Sequence, residues 1–234
     1  MQKVVKKLYL PPSPALYVGA VEGGGEWALV QSGYFSNGGT SSDTIQVTLS
    51  NPVGSGNLVC IAVASAGQKD AITITDDKGN TYAARANVAT YGDFRFATFS
   101  KLNLTNGPVT FTATFSDSRQ YASILVDEFS GAETTASLDK NAMQAQAGMG
   151  TGANAVTSGS QTTTADGELI WGATVDVDSF GVSAGSGFTQ AQYRDSTYMT
   201  EYRVQTTAGS VAATFTAANS SSHFITGMLC FKKV

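Results

Sequence analysis

Two uninterrupted apolar runs stand out from a chain that otherwise alternates between apolar and polar positions. Gly56-Asn57-Leu58 opens the run that continues to Ala66, and Gly167-Glu168-Leu169 opens the run that continues to Val175. Runs of this length bounded by Gly predict strands buried on both faces. Thr44–Leu49 alternates instead, with Ile45, Val47 and Leu49 on one side and Thr44, Gln46 and Thr48 on the other. That period predicts a half-buried strand. Further strands are expected over 71–75, 81–90, 94–102, 109–116 and 121–131. They are separated by turn chemistry such as Asn51-Pro52, Asp76-Asp77-Lys78-Gly79-Asn80 and Asn106-Gly107-Pro108.

The second apolar run starts a second pass through the same order. Gly56 aligns with Gly167, Tyr82 with Phe188, Phe99 with Tyr202, Val109 with Val211 and Phe129 with Phe231. The spacing contracts where the turns shorten. The chain therefore reads as an internal duplication. The expected fold is all-β, a jelly-roll-like β-sandwich built from two similar five-strand halves, about 42–131 and 167–233, whose apolar faces cover each other. Residues 132–166 read as a connector, with an edge strand in Ser158–Thr164 and a short helical turn over Lys140–Gln146. A loop of that length is often functional. Residues 1–29 hold Pro11, Pro12, Pro14 and the Gly23-Gly24-Gly25 run, and read as an extended N-terminal arm ahead of the sandwich at 30–234. Its apolar residues Leu8, Tyr9, Leu10, Leu16, Tyr17 and Trp27 are the expected partner-binding contacts, docking on a neighbouring subunit.

Gly56-Asn57-Leu58-Val59, Thr75-Asp76-Asp77-Lys78-Gly79-Asn80-Thr81-Tyr82, Val126-Asp127-Glu128-Phe129-Ser130-Gly131, Thr162-Thr163-Thr164 with Gly167-Glu168-Leu169, Gly185-Ser186-Gly187-Phe188 and Ala208-Gly209-Ser210-Val211 occur in an order that resembles a jelly-roll-like β-sandwich domain of phage virion proteins and bacterial surface proteins. The resemblance spans about residues 42–232 and rests on turns and strand starts. It implies a non-catalytic building or adhesion module, and it carries no active-site residues with it.

Composition narrows the function classes. Charged residues are 14% of the 234 and the net charge is −4, against about 25% charged in ordinary soluble domains. A sparsely charged, slightly acidic chain argues against nucleic acid as a partner. Leu8-Tyr9-Leu10 is cut by Pro11, short of the roughly 7–15 apolar residues of a secretion signal, and nothing approaches the roughly 18 needed to span a membrane. The expectation is synthesis in a host cytoplasm and residence in a virion. Cell-surface or non-classically secreted residence is the alternative. Cys60 and Cys230 each lie in an apolar strand and read as buried hydrophobes, with a disulfide left open.

Candidate chemistry is thin. Asp76–Asn80 reads as a turn, with Ca²⁺ binding as the alternative. Asp127 and Glu128 alternate at a strand end, so one points inward and needs a partner such as Arg203, Arg95 or Tyr202. Glu128 with Glu168 or Glu201 is the best pair for a glycosidase. Asp176 and Asp178 read as facing solvent or a loop-end groove, and the lone His223 as an edge or interface residue. Tyr91, Phe94, Phe96 and Phe99 cluster in one hairpin, and Tyr193, Tyr198 and Tyr202 in its counterpart. Most read as core, and Tyr91, Tyr193 and Tyr198 form the candidate glycan platform. The expected function is that of a non-catalytic structural subunit, a capsid-decoration or tail-associated protein without a cofactor. Its partners would be other virion or surface-assembly proteins, and its state a closed homo-oligomer such as a trimer. The alternatives are a carbohydrate-binding or host-adhesion module and, third, a glycan-active enzyme.

Overall fold

A computed structural model describes residues 26–67, 71–85, 89–132, 138–147, 152–194, 197–219 and 222–233. Every regular element among them is a strand. The first unit holds β1 (Ala28–Ser36), β2 (Ser42–Thr48), β3 (Leu58–Ala66), β4 (Ile72–Asp76), β5 (Ala83–Ala84), β6 (Ala89–Tyr91), β7 (Phe94–Lys101), β8 (Thr110–Arg119) and β9 (Ser123–Ser130). The second holds β10 (Leu138–Gln146), β11 (Gly152–Thr157), β12 (Gln161–Thr162), β13 (Glu168–Asp176), β14 (Val182–Ala184), β15 (Thr189–Arg194), β16 (Tyr198–Gln205), β17 (Ser210–Val211), β18 (Thr214–Ala217) and β19 (Phe224–Phe231).

The two units share one topology. A large sheet runs β1-β9-β3-β7-β5 in the first, with β6 also on β7, and β10-β19-β13-β16-β15 in the second. A small sheet runs β2-β8-β4 in the first and β11-β18-β14 in the second, which adds the β12-β17 ribbon. All pairings are antiparallel. In each unit the apolar run, β3 or β13, lies near the middle of the large sheet between its last and its third-last long strands.

The layers explain the hydrophobic pattern. β2 has one solvated face, so Ile45 and Val47 are buried while Thr44, Gln46 and Thr48 are exposed. β3 has none. Val59, Ile61 and Val63 pack outward against Ile45, Val47, Ile74, Phe111 and Phe115 of the small sheet. Leu58, Cys60, Ala62 and Ala64 pack inward against the second unit. β13 does the same, with Ile170 in an outer core with Phe215 and Val182, and Leu169, Trp171, Ala173 and Val175 in the shared central one. The molecule is thus four layers deep, with three cores. The two large sheets face each other as expected, and each is also covered on its outer side.

Several expectations change. Lys140–Gln146 is not a helical turn but lies within β10, paired to β19 from Leu138↔Phe231 to Gln146↔Phe224. The 132–166 stretch carries β10 and β11, the counterparts of β1 and β2, and β12 of the added ribbon. Ser158–Thr164 contributes only Gln161–Thr162 to a strand. The Phe99/Tyr202 alignment is one residue out of register. Phe99 pairs with Ile61 and lies in the first outer core, whereas Tyr202 pairs with Trp171 and packs on the central core. A one-residue slip exchanges the two faces of a strand. The Phe129/Phe231 alignment is in register, since each pairs with the first Leu of its apolar run.

Candidate functional site

The carboxylates are the natural place to look for chemistry, and among the described residues six are buried: Asp76, Asp127, Glu128, Glu168, Asp176 and Glu201. A buried carboxylate needs donors. Five of these six, all but Asp127, accept from backbone N–H groups. Asp76 accepts from the N–H groups of Lys78 and Asn80 at 2.9 Å each, and from the Tyr82 hydroxyl at 2.7 Å. Beside it, the Val109 N–H donates to Asp77 at 2.9 Å, and with the Thr110 N–H and Lys78 it holds that carboxyl below its usual range. The turn reading of Asp76–Asn80 therefore has a mechanism: the carboxylates organise the turn and tie it to β8.

Asp176 is buried rather than solvent-facing. It accepts from the N–H groups of Asp178, Phe180 and Gly181 at 2.9–3.0 Å, while burial raises its pKa. Strict alternation failed here because the strand ends at this residue and the following turn folds over it. Asp178 is exposed, as expected, and accepts from the His223 backbone N–H at 2.8 Å. Its carboxylate also lies 2.6 Å from His223 Nδ1. The His223 ring stacks on Tyr91 at 4.3 Å, so this histidine ties the second unit to the first.

Asp127 and Glu128 are both buried, on opposite faces. Glu128 accepts from Gln31 Nε2 and Asn57 Nδ2 at 2.5 Å each, and from the Gly54 N–H at 2.7 Å. Asp127 faces the central core, where Trp171 Nε1 donates to it at 2.7 Å across the unit boundary. Burial raises its pKa against the opposing effect of Trp171, Thr200 and Ser32. Trp171, rather than the anticipated Arg203, Arg95 or Tyr202, supplies this hydrogen bond.

Glu201 accepts from the N–H groups of Gly185 at 2.9 Å and Thr214 at 3.1 Å, and burial pushes its pKa up to about 8. Glu168 accepts from Ala165 N–H at 2.9 Å; burial, then the neighbouring Asp139, raises its pKa. The hydrogen bonds from Thr164 and Lys232 outweigh burial at Asp139 and keep it low. Glu128 lies on the outer face of the first large sheet, with Val126, and Glu168 and Glu201 lie on the outer face of the second, with Ile170 and Met199. Both large sheets separate them, so neither pair flanks a cleft.

The aromatic candidates scatter. Tyr198 is buried in the central core, and Tyr91 is covered by His223. Tyr193 is 37% exposed and pairs with Met199, one register position before the Arg194–Tyr198 pair, so Tyr193 and Tyr198 point to opposite faces. Trp27, assigned to the arm, is buried in the central core and donates from Nε1 to the Gly167 carbonyl at 3.1 Å. Leu8, Tyr9, Leu10, Leu16 and Tyr17 lie outside the described residues. Cys60 and Cys230 are both free, one in the central core and the other in the second outer core.

One concavity draws on both units. It has a volume of about 220 Å³ and lies where the end of β1, the start of β7 and the turn before β9 meet the β15–β16 connection and the turn after β13. Phe94 and Tyr198 line it with Tyr121, Ser36, Ser179, Thr197 and Arg194. Tyr121 is 54% exposed, and the nearby Tyr34 is 46% exposed beneath the Arg194 guanidinium, 5.8 Å away. Two of the lining residues, Tyr121 (φ 52°) and Ser179 (φ 61°), hold left-handed backbones. Sequence reasoning missed Tyr121 and Tyr34. The only local sign was an aromatic residue in a turn without glycine.

Among the described residues, no group of three or more His, Cys, Asp or Glu side chains is placed to hold a metal ion, and no helix is long and apolar enough to cross a membrane. No family model matches the chain, and no curated protein matches its sequence.

Proposed function

We propose that this chain is a non-catalytic structural subunit of an assembled particle, a virion protein of the capsid-decoration or tail-associated kind. The observation that carries the reading is the use of the buried acids. The carboxylates most displaced from water are tied to turn backbones or to the unit boundary, and none faces another across a cleft. Acids used in this way brace loops. The sparse surface charge and the resemblance of the turn sequences support the same reading.

The assembly contacts would come from the arm and from exposed sheet edges. The test is sedimentation and light scattering of the full chain beside one that begins at Glu26, which keeps Trp27 in its core position. The full chain is expected to self-associate or to co-sediment with phage particles, and the shortened chain to lose that. Two equally monomeric proteins that bind no particle would remove the basis for the proposal.

A further inference from the structure

We infer that the concavity between the units is a saccharide-binding site for a single neutral pyranose ring. Its volume of about 220 Å³ falls short of the roughly 300–1,000 Å³ of sites for larger ligands, and it suits one ring. Its walls are divided as a sugar ring is divided. Phe94, the buried Tyr198 and the exposed Tyr121 give it three aromatic residues. Ser36, Ser179 and Thr197 bring hydroxyls to the same space. A pyranose presents one C–H face to stack on an aromatic ring and an edge of hydroxyls to exchange hydrogen bonds. Thr197 Oγ1 donates to Ser179 Oγ at 3.2 Å and Ser36 Oγ accepts from the Gly38 N–H at 3.3 Å, which leaves the Ser36 and Ser179 protons and the Thr197 lone pairs for a ligand's hydroxyls. Arg194 is the one charged residue of the lining, too little for a phosphorylated ligand, which draws on several cationic or backbone donors.

The backbone makes the same case independently. Of the three non-glycine residues with positive φ among the described residues, two line this site. A bulky aromatic residue in the left-handed region is an outlier, and glycine would sit there without strain. Strained positions gather at ligand clamps. Here the left-handed backbone that carries the exposed Tyr121 is held by its N–H bond to the Gly38 carbonyl and by the Tyr198 hydroxyl donating to the Tyr121 carbonyl at 3.4 Å.

The inference stands apart from the assembly reading, because a particle subunit and a free module could both carry the site. Full-length protein would be titrated by heteronuclear NMR and calorimetry with glucose, galactose, mannose, N-acetylglucosamine and their β-linked and α-linked disaccharides. At least one is expected to bind, with shifts confined to residues around Tyr121, Ser179 and Thr197. Tyr121→Gly removes the ring and relieves the backbone, so it should stay folded and lose roughly tenfold or more in affinity. Ser179→Gly retains the ring and should lose less. Saturation by none of the sugars overturns the inference, and so does binding that Tyr121→Gly leaves intact. Preferential capture of an aromatic peptide would also overturn it. Particle association that persists in Tyr121→Gly separates failure of this site from failure of the assembly reading.

Discussion

Replacing Trp171 with Phe would test what joins the two units. Trp171 and Asp127 are fully buried on facing sheets, with Nε1 2.7 Å from the carboxylate. The substitution removes the donor and leaves the carboxyl oxygen without it, at a cost of about 1–3 kcal/mol. A residual cavity costs about 24 cal/mol per Å³, which adds about 1 kcal/mol for the part of the indole that is lost. The expected destabilisation is therefore about 2–4 kcal/mol. Leu229 stands at the register position of the second unit that corresponds to Asp127. In an Asp127→Leu background the carboxyl is gone and only the cavity contribution remains, so the cycle should show a coupling of about 1–3 kcal/mol. Urea unfolding followed by far-ultraviolet circular dichroism measures both, since it does not depend on the indole that is removed.

The pH dependence sharpens the test. The Asp127 pKa is raised in the folded protein, so between the ordinary carboxylate value, about 3.9, and the folded value the native state binds more protons than the unfolded one. This group's contribution to stability falls as pH rises through that window and is constant below it. Trp171 favours the charged form, so its removal raises the folded value further and the Phe variant should lose more stability at high pH than at low. Equal costs in both backgrounds, or a cost no larger at about pH 8 than at about pH 4, would refute the assignment of this hydrogen bond.

Glu201 extends the pH argument. With its pKa raised to about 8, its contribution falls as pH rises from about 4.5 towards 8, yet Glu201→Ala should cost about 2–4 kcal/mol even at acid pH, because the Gly185 and Thr214 N–H groups lose their acceptor; chemical denaturation at two pH values checks both. Gly185→Ala would place a Cβ 1.8 Å from the Thr214 carbonyl oxygen, so β14 must part from β18, and the expected result is a drop of about 3 kcal/mol or more or insoluble protein, read from thermal melts and soluble yield. Cys60 and Cys230 lie in different cores, and burial raises both thiols, Cys230 to about 12. Melting temperatures should be equal with and without reductant, and neither thiol should react with a disulfide reagent until the protein unfolds; fast labelling of the native protein would contradict the burial.

The turn and strand chemistry was legible along the chain because it is local. Gly56 and Gly167 have φ of 84° and 74° and open the two buried strands, and the alternation over Thr44–Leu49 reports one solvated face. Duplication was legible too, since burial constrains the same positions in both passes. The candidate site was not. Ser36, Phe94, Tyr121, Ser179 and Thr197 come from turns and strand ends far apart in sequence, and no period links them. What the sequence alone determined is an all-β chain with two matching series of strands. Only the tertiary structure decided what covers each face of β3 and β13, that Trp27 belongs to the central core, and that Asp176 and Asp127 are buried with donors. The physical reason is that hydrophobic periodicity records how many faces of a strand are dry, while the identity of what covers each face depends on contacts between residues the chain separates widely.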